Sequence, residues 1–234
     1  MRILAIDTAL NVVSACVWDN DDAIMLASEA LPIERGHDEH LLPLVERVLD
    51  QTDGGFDTID RIAVTIGPGS FTGIRIGIAA ARAMGMVRAI PVIGVPTLVA
   101  FAAPFIGKDE ATVAAMIDAR HGQVYTHVFS PSGKTFVEPR VLPVSNAVRL
   151  LGSGPIILTG NAAPIAAIEA WSTGLRAEVR GDTRSPDISF VARLGTLANP
   201  ASAPPVPLYL NPANAKPATP SALAQGRLHA PAQG

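Results

Sequence analysis

Gly67-Pro68-Gly69-Ser70-Phe71-Thr72-Gly73-Ile74-Arg75-Ile76-Gly77 is the stretch that decides the fold of this chain. The apolar run before it, residues 62–66, is typical of a buried strand. The alanine-rich run after its first turn, residues 72–87, predicts a helix. A strand, a glycine-rich turn and a helix in that order place backbone amides at a helix N-terminus, where an anion could bind. Because no lysine follows the last glycine, the block differs from the P-loop of nucleotide hydrolases.

The composition is that of a globular protein with an apolar core. Hydrophobic residues make up 48% of the 234 residues, charged residues make up 17%, and the net charge is −3. No run of lysine or arginine forms a basic stripe, which disfavours tight nucleic-acid binding by this chain alone. Cys16, the one cysteine, is interpreted as a small buried hydrophobe. With no recognisable signal peptide or membrane span, we expect a soluble, cytoplasmic protein.

The chain repeats one pattern of strands and helices. Residues 6–18 can be laid over residues 117–129, since both combine a strand, Ile-Asp, a short turn and a second strand. Later in each half a strand runs into a glycine and a helix, at residues 64–68 and 156–161. Two landmarks in the same order favour a duplicated α/β unit. We therefore predict subdomains over residues 1–104 and 105–210, followed by a disordered Pro/Ala-rich tail over residues 211–234.

Asp7 and Asp118 each end the first strand of a half, at a turn. In a duplicated α/β protein they would face each other across a cleft and position Mg²⁺ or phosphate, with Thr8 and Arg120 beside them. The alternative is that each aspartate only orders its turn. A turn that cradles phosphate needs glycines for close approach of the backbone, and these turns are poor in them. We expect at most a degenerate nucleotide cleft.

The predicted helix after the glycine-rich turn carries small residues at every fourth position: Gly73, Gly77, Ala81 and Gly85. This smooth stripe lets another element approach closely, either the protein's own sheet or a helix of another subunit. Arg75 and Arg82 lie near one side of the helix and would be polar anchors in the second case. The pattern alone does not choose between the two partners.

Two motifs that resemble catalytic or metal sites are interpreted conservatively. His37 and His40 flank two carboxylates, but no third ligand follows in a recognisable pattern, so we predict a polar helix start and no metal site. Ser70 lies in Gly-x-Ser-x-x-Gly, which lacks the nucleophile-elbow form. We predict no catalytic residues.

Three blocks resemble, in order, the hallmark blocks of the TsaB family, also called YeaZ, and two further stretches look like family landmarks. The blocks are residues 3–8, 67–77 and 116–125, and the landmarks are residues 37–43 and 207–210. The resemblance implies an actin-like, sugar-kinase-like (ASKHA) duplicate of two α/β subdomains. It also implies a dimerisation subunit of the tRNA threonylcarbamoyladenosine complex, which modifies the adenosine beside the anticodon.

The resemblance further implies a non-catalytic role. The catalytic paralogue TsaD carries two metal-binding histidines, and Thr97 and Phe101 stand at the matching positions here. Imidazole ligands cannot be replaced by these side chains, so this subunit is expected to bind and activate TsaD without performing the transfer. The expected partners are TsaD, the ATPase TsaE, a second copy when alone, and tRNA only through the complex. No tightly bound cofactor is expected, apart from weak ATP or ADP binding at the heterodimer junction.

By the same resemblance, helices 37–52 and 72–87 pair with the same helices of TsaD. The predicted interface residues are His37, His40, Leu41, Leu44, Phe71, Gly73, Ile74, Gly77, Ile78, Ala81, Arg82 and Gly85. Arginine at Gly77 or Ala81 should then abolish pairing while the monomer stays folded.

Three alternatives remain open at this point. An ATP-dependent kinase of the same fold would need two glycine-rich phosphate turns. A metallopeptidase would need metal ligands. A plain interaction module would have no connection to RNA.

Overall fold

The computed structural model describes residues 1–33, 36–182 and 184–210, and shows two five-stranded sheets. The predicted tail, residues 211–234, lies outside the described residues. The strands of the first sheet are β1 (Arg2–Asp7), β2 (Val12–Asp19), β3 (Ile24–Pro32), β4 (Arg61–Thr65) and β5 (Val92–Val95). Those of the second are β6 (Thr112–Arg120), β7 (Gln123–Phe129), β8 (Thr135–Pro143), β9 (Ile156–Thr159) and β10 (Ala177–Val179).

The two sheets have the same topology. The strand order is β3-β2-β1-β4-β5 in the first, and β8-β7-β6-β9-β10 in the second when it is written from the matching end. In both sheets, the first three strands of the unit pair antiparallel with one another. The fourth strand pairs parallel with the first, and the fifth pairs parallel with the fourth. The duplicated α/β unit predicted from the sequence is therefore confirmed.

Helices complete each unit in the same order. They are α1 (His37–Asp50), α2 (Phe71–Arg88) and α3 (Thr97–Ala102) in the first half, and α4 (Val144–Arg149), α5 (Ala163–Ser172) and α6 (Ile188–Leu197) in the second. A short 3-10 helix, Gly55–Thr58, precedes β4. The predicted helices 37–52 and 72–87 match α1 and α2 to within two residues at each end.

The last helix of each unit packs on the sheet of the other unit. Leu98 and Phe101 of α3 lie in one apolar cluster with Val113 of β6. Val191 of α6 lies in another cluster with Ile3 of β1. Helices α1 and α2 cover the opposite face of the first sheet, in a third cluster. This exchange buries apolar surface from both halves and ties them into one body.

None of the helices within the described residues has both the length and the apolar character that crossing a membrane requires.

Candidate functional site

The small residues of α2 face the protein's own first sheet. A Cβ atom added at Gly73 would overlap the carbonyl oxygen of Thr8, and one at Gly77 would overlap the Thr8 hydroxyl. The Thr8 hydroxyl donates a hydrogen bond of 2.7 Å to the Gly73 carbonyl. Near the C-terminal end of α2, a Cβ at Gly85 would overlap the Val92 side chain. The stripe is therefore explained by internal packing, the first of the two alternatives left open by the sequence.

This packing corrects the proposed arginine test. Gly77 is closed in by Thr8, and Ala81 is fully buried. An arginine at either position would have to displace the β1–β2 turn or the core beneath α2, so the monomer would not stay folded. Those substitutions cannot separate pairing from folding.

Most of the predicted interface residues lie in the interior. Nine of the twelve are buried, namely His37, Leu41, Leu44, Gly73, Ile74, Gly77, Ile78, Ala81 and Gly85. They are buried because they form the inward faces of α1 and α2, whose apolar side chains pack on the first sheet. Only His40, Phe71 and Arg82 are exposed, and for them the interface stays a prediction.

The side of α2 opposite its glycines is exposed to solvent. Six of its exposed residues recur at helical spacing and are here called the outer α2 face, namely Phe71, Arg75, Ala79, Arg82, Ala83 and Met86. Thr72 and Val87 are exposed beside them. Phe71 is 56% exposed and Met86 is 83% exposed, and Leu42 on the neighbouring α1 is also exposed. Sequence reasoning missed Ala79, Ala83 and Met86. The signal was present, because they stand opposite the glycines on a helical wheel.

Asp7 is fully buried beneath the β1–β2 turn. Its Oδ1 accepts hydrogen bonds from the Thr65 hydroxyl at 2.6 Å and from the Ala9 amide at 3.0 Å. Its Oδ2 is buried and has no hydrogen-bond partner within the described structure. Loss of hydration raises the pKa of the Asp7 carboxyl, and the hydrogen bonds and the nearby His37 ring oppose that effect only in part.

Asp118, the counterpart of Asp7, is exposed at the end of β6. The two aspartates therefore do not line one open cleft, and this corrects the predicted arrangement for Asp7 and Thr8. Both of these side chains are covered, because the glycines of α2 bring the helix directly onto the β1–β2 turn. Of the four predicted cleft residues, only Asp118 and Arg120 reach the surface.

The N-terminus of α2 packs against the β1–β2 turn. The Ser70 amide donates to the Ala9 carbonyl at 2.7 Å, and the Ser70 hydroxyl accepts from the Gly73 amide at 3.3 Å. An added Cβ at Gly69 would overlap that same Ala9 carbonyl. The Ala9 carbonyl and the Ser70 side chain thus provide part of the hydrogen bonding at this helix N-terminus.

The histidine pair is divided between interior and surface. The His37 ring Nε2 lies 2.8 Å from the Leu10 carbonyl, whereas His40 is exposed. Thr97 and Phe101, which match the metal ligands of TsaD in the resemblance, are both buried in α3. In residues 1–33, 36–182 and 184–210, no three His, Cys, Asp or Glu side chains come together in a group that could hold a metal ion.

Comparison with protein sequences identifies relatives of this chain. The family described as TsaD, tRNA N6-adenosine threonylcarbamoyltransferase, matches residues 31–194, well over half of the chain. The tRNA threonylcarbamoyladenosine biosynthesis protein TsaB of Escherichia coli K12 is 43% identical over 126 residues, 53% of each protein. The match thus spans about half the length of that relative. An uncharacterized Mycobacterium tuberculosis protein is 34% identical over 215 residues, 92% of this chain and 94% of its own length.

Solved structures agree on the fold. YeaZ from Pseudomonas aeruginosa superposes with a TM-score of 0.70 at 23% identity, over 89% of this chain and 99% of its own. A second P. aeruginosa structure, described as similar to peptidase YeaZ, gives 0.72 at 24% identity over 90% and 99%. Together with the repeated sheet topology, this likeness confirms the predicted fold of two α/β subdomains. The chain therefore belongs to the TsaB/YeaZ family.

Proposed function

We propose that this chain is an accessory subunit of tRNA threonylcarbamoyladenosine biosynthesis, which binds a catalytic subunit of the TsaD family through the outer α2 face and the adjoining surface of α1. The names of the curated TsaB relatives support the pathway. The same face would pair two copies of the chain when the catalytic subunit is absent. TsaE and tRNA would be engaged only by the assembled complex, in the cytoplasm.

The observation that carries this proposal is the apolar character of the outer α2 face and its surroundings. Phe71, Met86 and Val87 are each more than half exposed on α2, and Leu42 is 56% exposed on α1. Exposed apolar side chains on one region of a surface commonly mark a protein-binding site. Ala79 and Ala83 lie between them and leave room for a partner helix to approach closely.

We further propose that the chain does not perform the transfer reaction. Asp7, the carboxylate at the position where a kinase of this fold would handle phosphate and metal, is sealed from solvent and already bonded to Thr65 and Ala9. A group used in that way would have to be reachable by the ligand. Weak nucleotide binding at the subunit junction remains compatible with this arrangement, because Asp118 and Arg120 are exposed.

The test uses arginine at exposed positions of the outer α2 face. Ala79→Arg and Ala83→Arg should each weaken binding of the cognate TsaD-family subunit by at least about thirtyfold, as expected for a bulky charge at an interface centre. Ala201→Arg, an exposed alanine in a turn outside this face, is the matched control. Affinity is measured by isothermal titration calorimetry, and thermal unfolding checks that the variants stay folded.

The same variants test the pathway in cells depleted of this protein. Wild type and Ala201→Arg should restore the modified adenosine measured by mass spectrometry of tRNA nucleosides, and Ala79→Arg should not. Full restoration by a non-binding variant would overturn the role as a partner of TsaD. ATP turnover by the isolated chain would instead favour the kinase alternative.

A further inference from the structure

The segment Pro207–Leu210 lies across the glycine-rich turn in front of α2. The Leu208 amide donates a hydrogen bond of 2.8 Å to the Ile66 carbonyl, at the end of β4. The Leu208 carbonyl oxygen lies so close to Gly67 that an added Cβ would be 3.2 Å from it. On the other side of Tyr209, the Leu210 side chain packs into the apolar cluster around Leu98. Contacts on both sides therefore fix the position of Tyr209.

The Tyr209 side chain reaches the first turn of α2 and contacts two residues of the outer α2 face. Its hydroxyl accepts a hydrogen bond from Arg75 Nε at 3.0 Å. Its ring stacks on the Phe71 ring with centroids 5.7 Å apart and 30° between the planes. The Arg75 guanidinium lies 3.7 Å from the centroid of the Phe71 ring. Each of the three side chains thus contacts the other two.

This cluster is held in place and yet exposed. Phe71 is 56% exposed and Tyr209 is 50% exposed. Arginine side chains lose much rotational freedom when they bind, so fixing Arg75 in advance lowers the entropic cost of association. Aromatic and arginine side chains are also the ones that most often dominate binding energy at protein interfaces.

The charge of Arg75 is not balanced by any side chain that the structure describes. Among the described residues, no aspartate or glutamate forms an ion pair with Arg75. Its Nε donates to Tyr209, which leaves the terminal guanidinium nitrogens to donate elsewhere. A guanidinium with this donor geometry matches a carboxylate in two parallel hydrogen bonds.

We infer that Phe71, Arg75 and Tyr209 form a preorganised anchor of the partner interface, in which Tyr209 is a positioning residue that fixes Phe71 and Arg75. This inference rests on the proposed function. The anchor fits a protein surface that presents a carboxylate beside an apolar side chain. Tyr209, though remote in sequence, thereby extends the interface from α2 onto the C-terminal segment.

A nucleic-acid ligand is the other chemistry that stacked rings and an arginine can serve. The geometry favours a protein, because the Phe71 ring is already contacted by Tyr209 and by Arg75, which leaves little ring face for a base. Phe71 and Arg75 are also continuous with Ala79 and Met86 on one face of α2.

The experiment measures the affinity of the full chain for the cognate TsaD-family subunit by isothermal titration calorimetry. Tyr209→Ala should weaken binding about tenfold and Tyr209→Phe, which keeps the ring but loses the hydroxyl, about threefold. In an Arg75→Ala background Tyr209→Phe should have no further effect, since the hydroxyl acts through Arg75. Tyr125→Phe, the other tyrosine of the chain, is the matched control.

Thermal unfolding of each isolated variant separates positioning from folding, and the midpoints should stay within about 2 °C of wild type. Wild-type affinity in both Tyr209 variants, with binding lost in Ala79→Arg, would overturn the anchor and leave the proposed function standing. Wild-type affinity in all of them would overturn both. A loss of affinity matched by a large fall in the unfolding midpoint would mean a purely structural role. If Tyr209→Ala instead weakened binding of a tRNA probe and left partner affinity intact, the anchor would serve nucleic acid.

Discussion

The β1–β2 and β6–β7 turns occupy the same place in two sheets of identical topology, yet one is buried and the other is open. In both, the aspartate at the end of the first strand accepts a hydrogen bond from the amide two residues later, at 3.0 Å for Asp7 and 2.8 Å for Asp118. Asp7 is fully buried and Asp118 is exposed. The duplicated unit has thus kept the turn and changed its surroundings.

The helix that follows explains the difference. Helix α2 places Gly73 and Gly77 against Thr8, so its backbone lies directly on the first turn. Helix α5 buries alanines, among them Ala166 and Ala170, on its inward face. A methyl group at each inward position keeps a helix further from its sheet. The glycines of α2 thus let its backbone cover the first turn, whereas the inward face of α5 carries methyl groups.

The largest effect is expected at Gly73. Its backbone does not adopt a left-handed conformation. The cost of Gly73→Ala therefore comes from forcing a methyl group against the Thr8 carbonyl. We expect a loss of about 2 to 3 kcal/mol in the free energy of unfolding, even after the better helix propensity of alanine is included. Chemical denaturation measures this value.

The counterpart in the second unit is Ala166→Gly, which removes a buried methyl group from α5. It should lower the free energy of unfolding by about 1 to 2 kcal/mol, through lost helix propensity and the lost burial of the methyl group. If Gly73→Ala proved no more harmful than Ala166→Gly, close approach of α2 would not be what separates the two turns.

An intermediate and pH-dependent effect is expected at Asp7. Burial raises the pKa of this carboxyl above its ordinary value of 3.8, so between the two values the folded protein holds a proton that the unfolded chain has lost. Raising the pH through that window therefore favours the unfolded chain. Asp7→Asn removes this titration, and at pH 7 it should be more stable than wild type by about 1 kcal/mol, because no charge is buried.

The measurement is the difference in unfolding free energy between Asp7→Asn and wild type along a pH series. The advantage of the variant should shrink as the pH falls toward 3.8. Asp118→Asn is the control and should stay within about 0.5 kcal/mol of wild type throughout, as expected for an exposed side chain. A constant difference between Asp7→Asn and wild type at every pH would contradict a raised pKa.

A similarly small effect, and one that does not depend on pH, is expected at Gly122, in the open β6–β7 turn. Its φ is +72° and no atom lies within 4 Å of an added Cβ, so Gly122→Ala meets backbone strain alone. We expect a loss of about 1 kcal/mol in the free energy of unfolding, from the left-handed conformation. A loss as large as that of Gly73→Ala would show that the second turn is as crowded as the first.

Much of the local structure could be predicted from sequence. The glycine-rich block predicted the strand, turn and helix now seen as β4 and α2, and the repeated Ile-Asp turns predicted two units of one topology. These features depend on spacing, propensity and periodicity, which neighbouring residues along the chain determine.

The partners of each surface were decided only by the tertiary structure. The stripe of small residues on α2 indicates that another element packs closely on the helix. It does not indicate whether that element is the turn at Thr8 of the same chain or another subunit. The burial of Asp7 depends on that approach, and the contact between Arg75 and Tyr209 joins residues 134 positions apart. Sequence determines which surfaces can pack, whereas the partner of each surface follows from long-range burial, which no local pattern encodes.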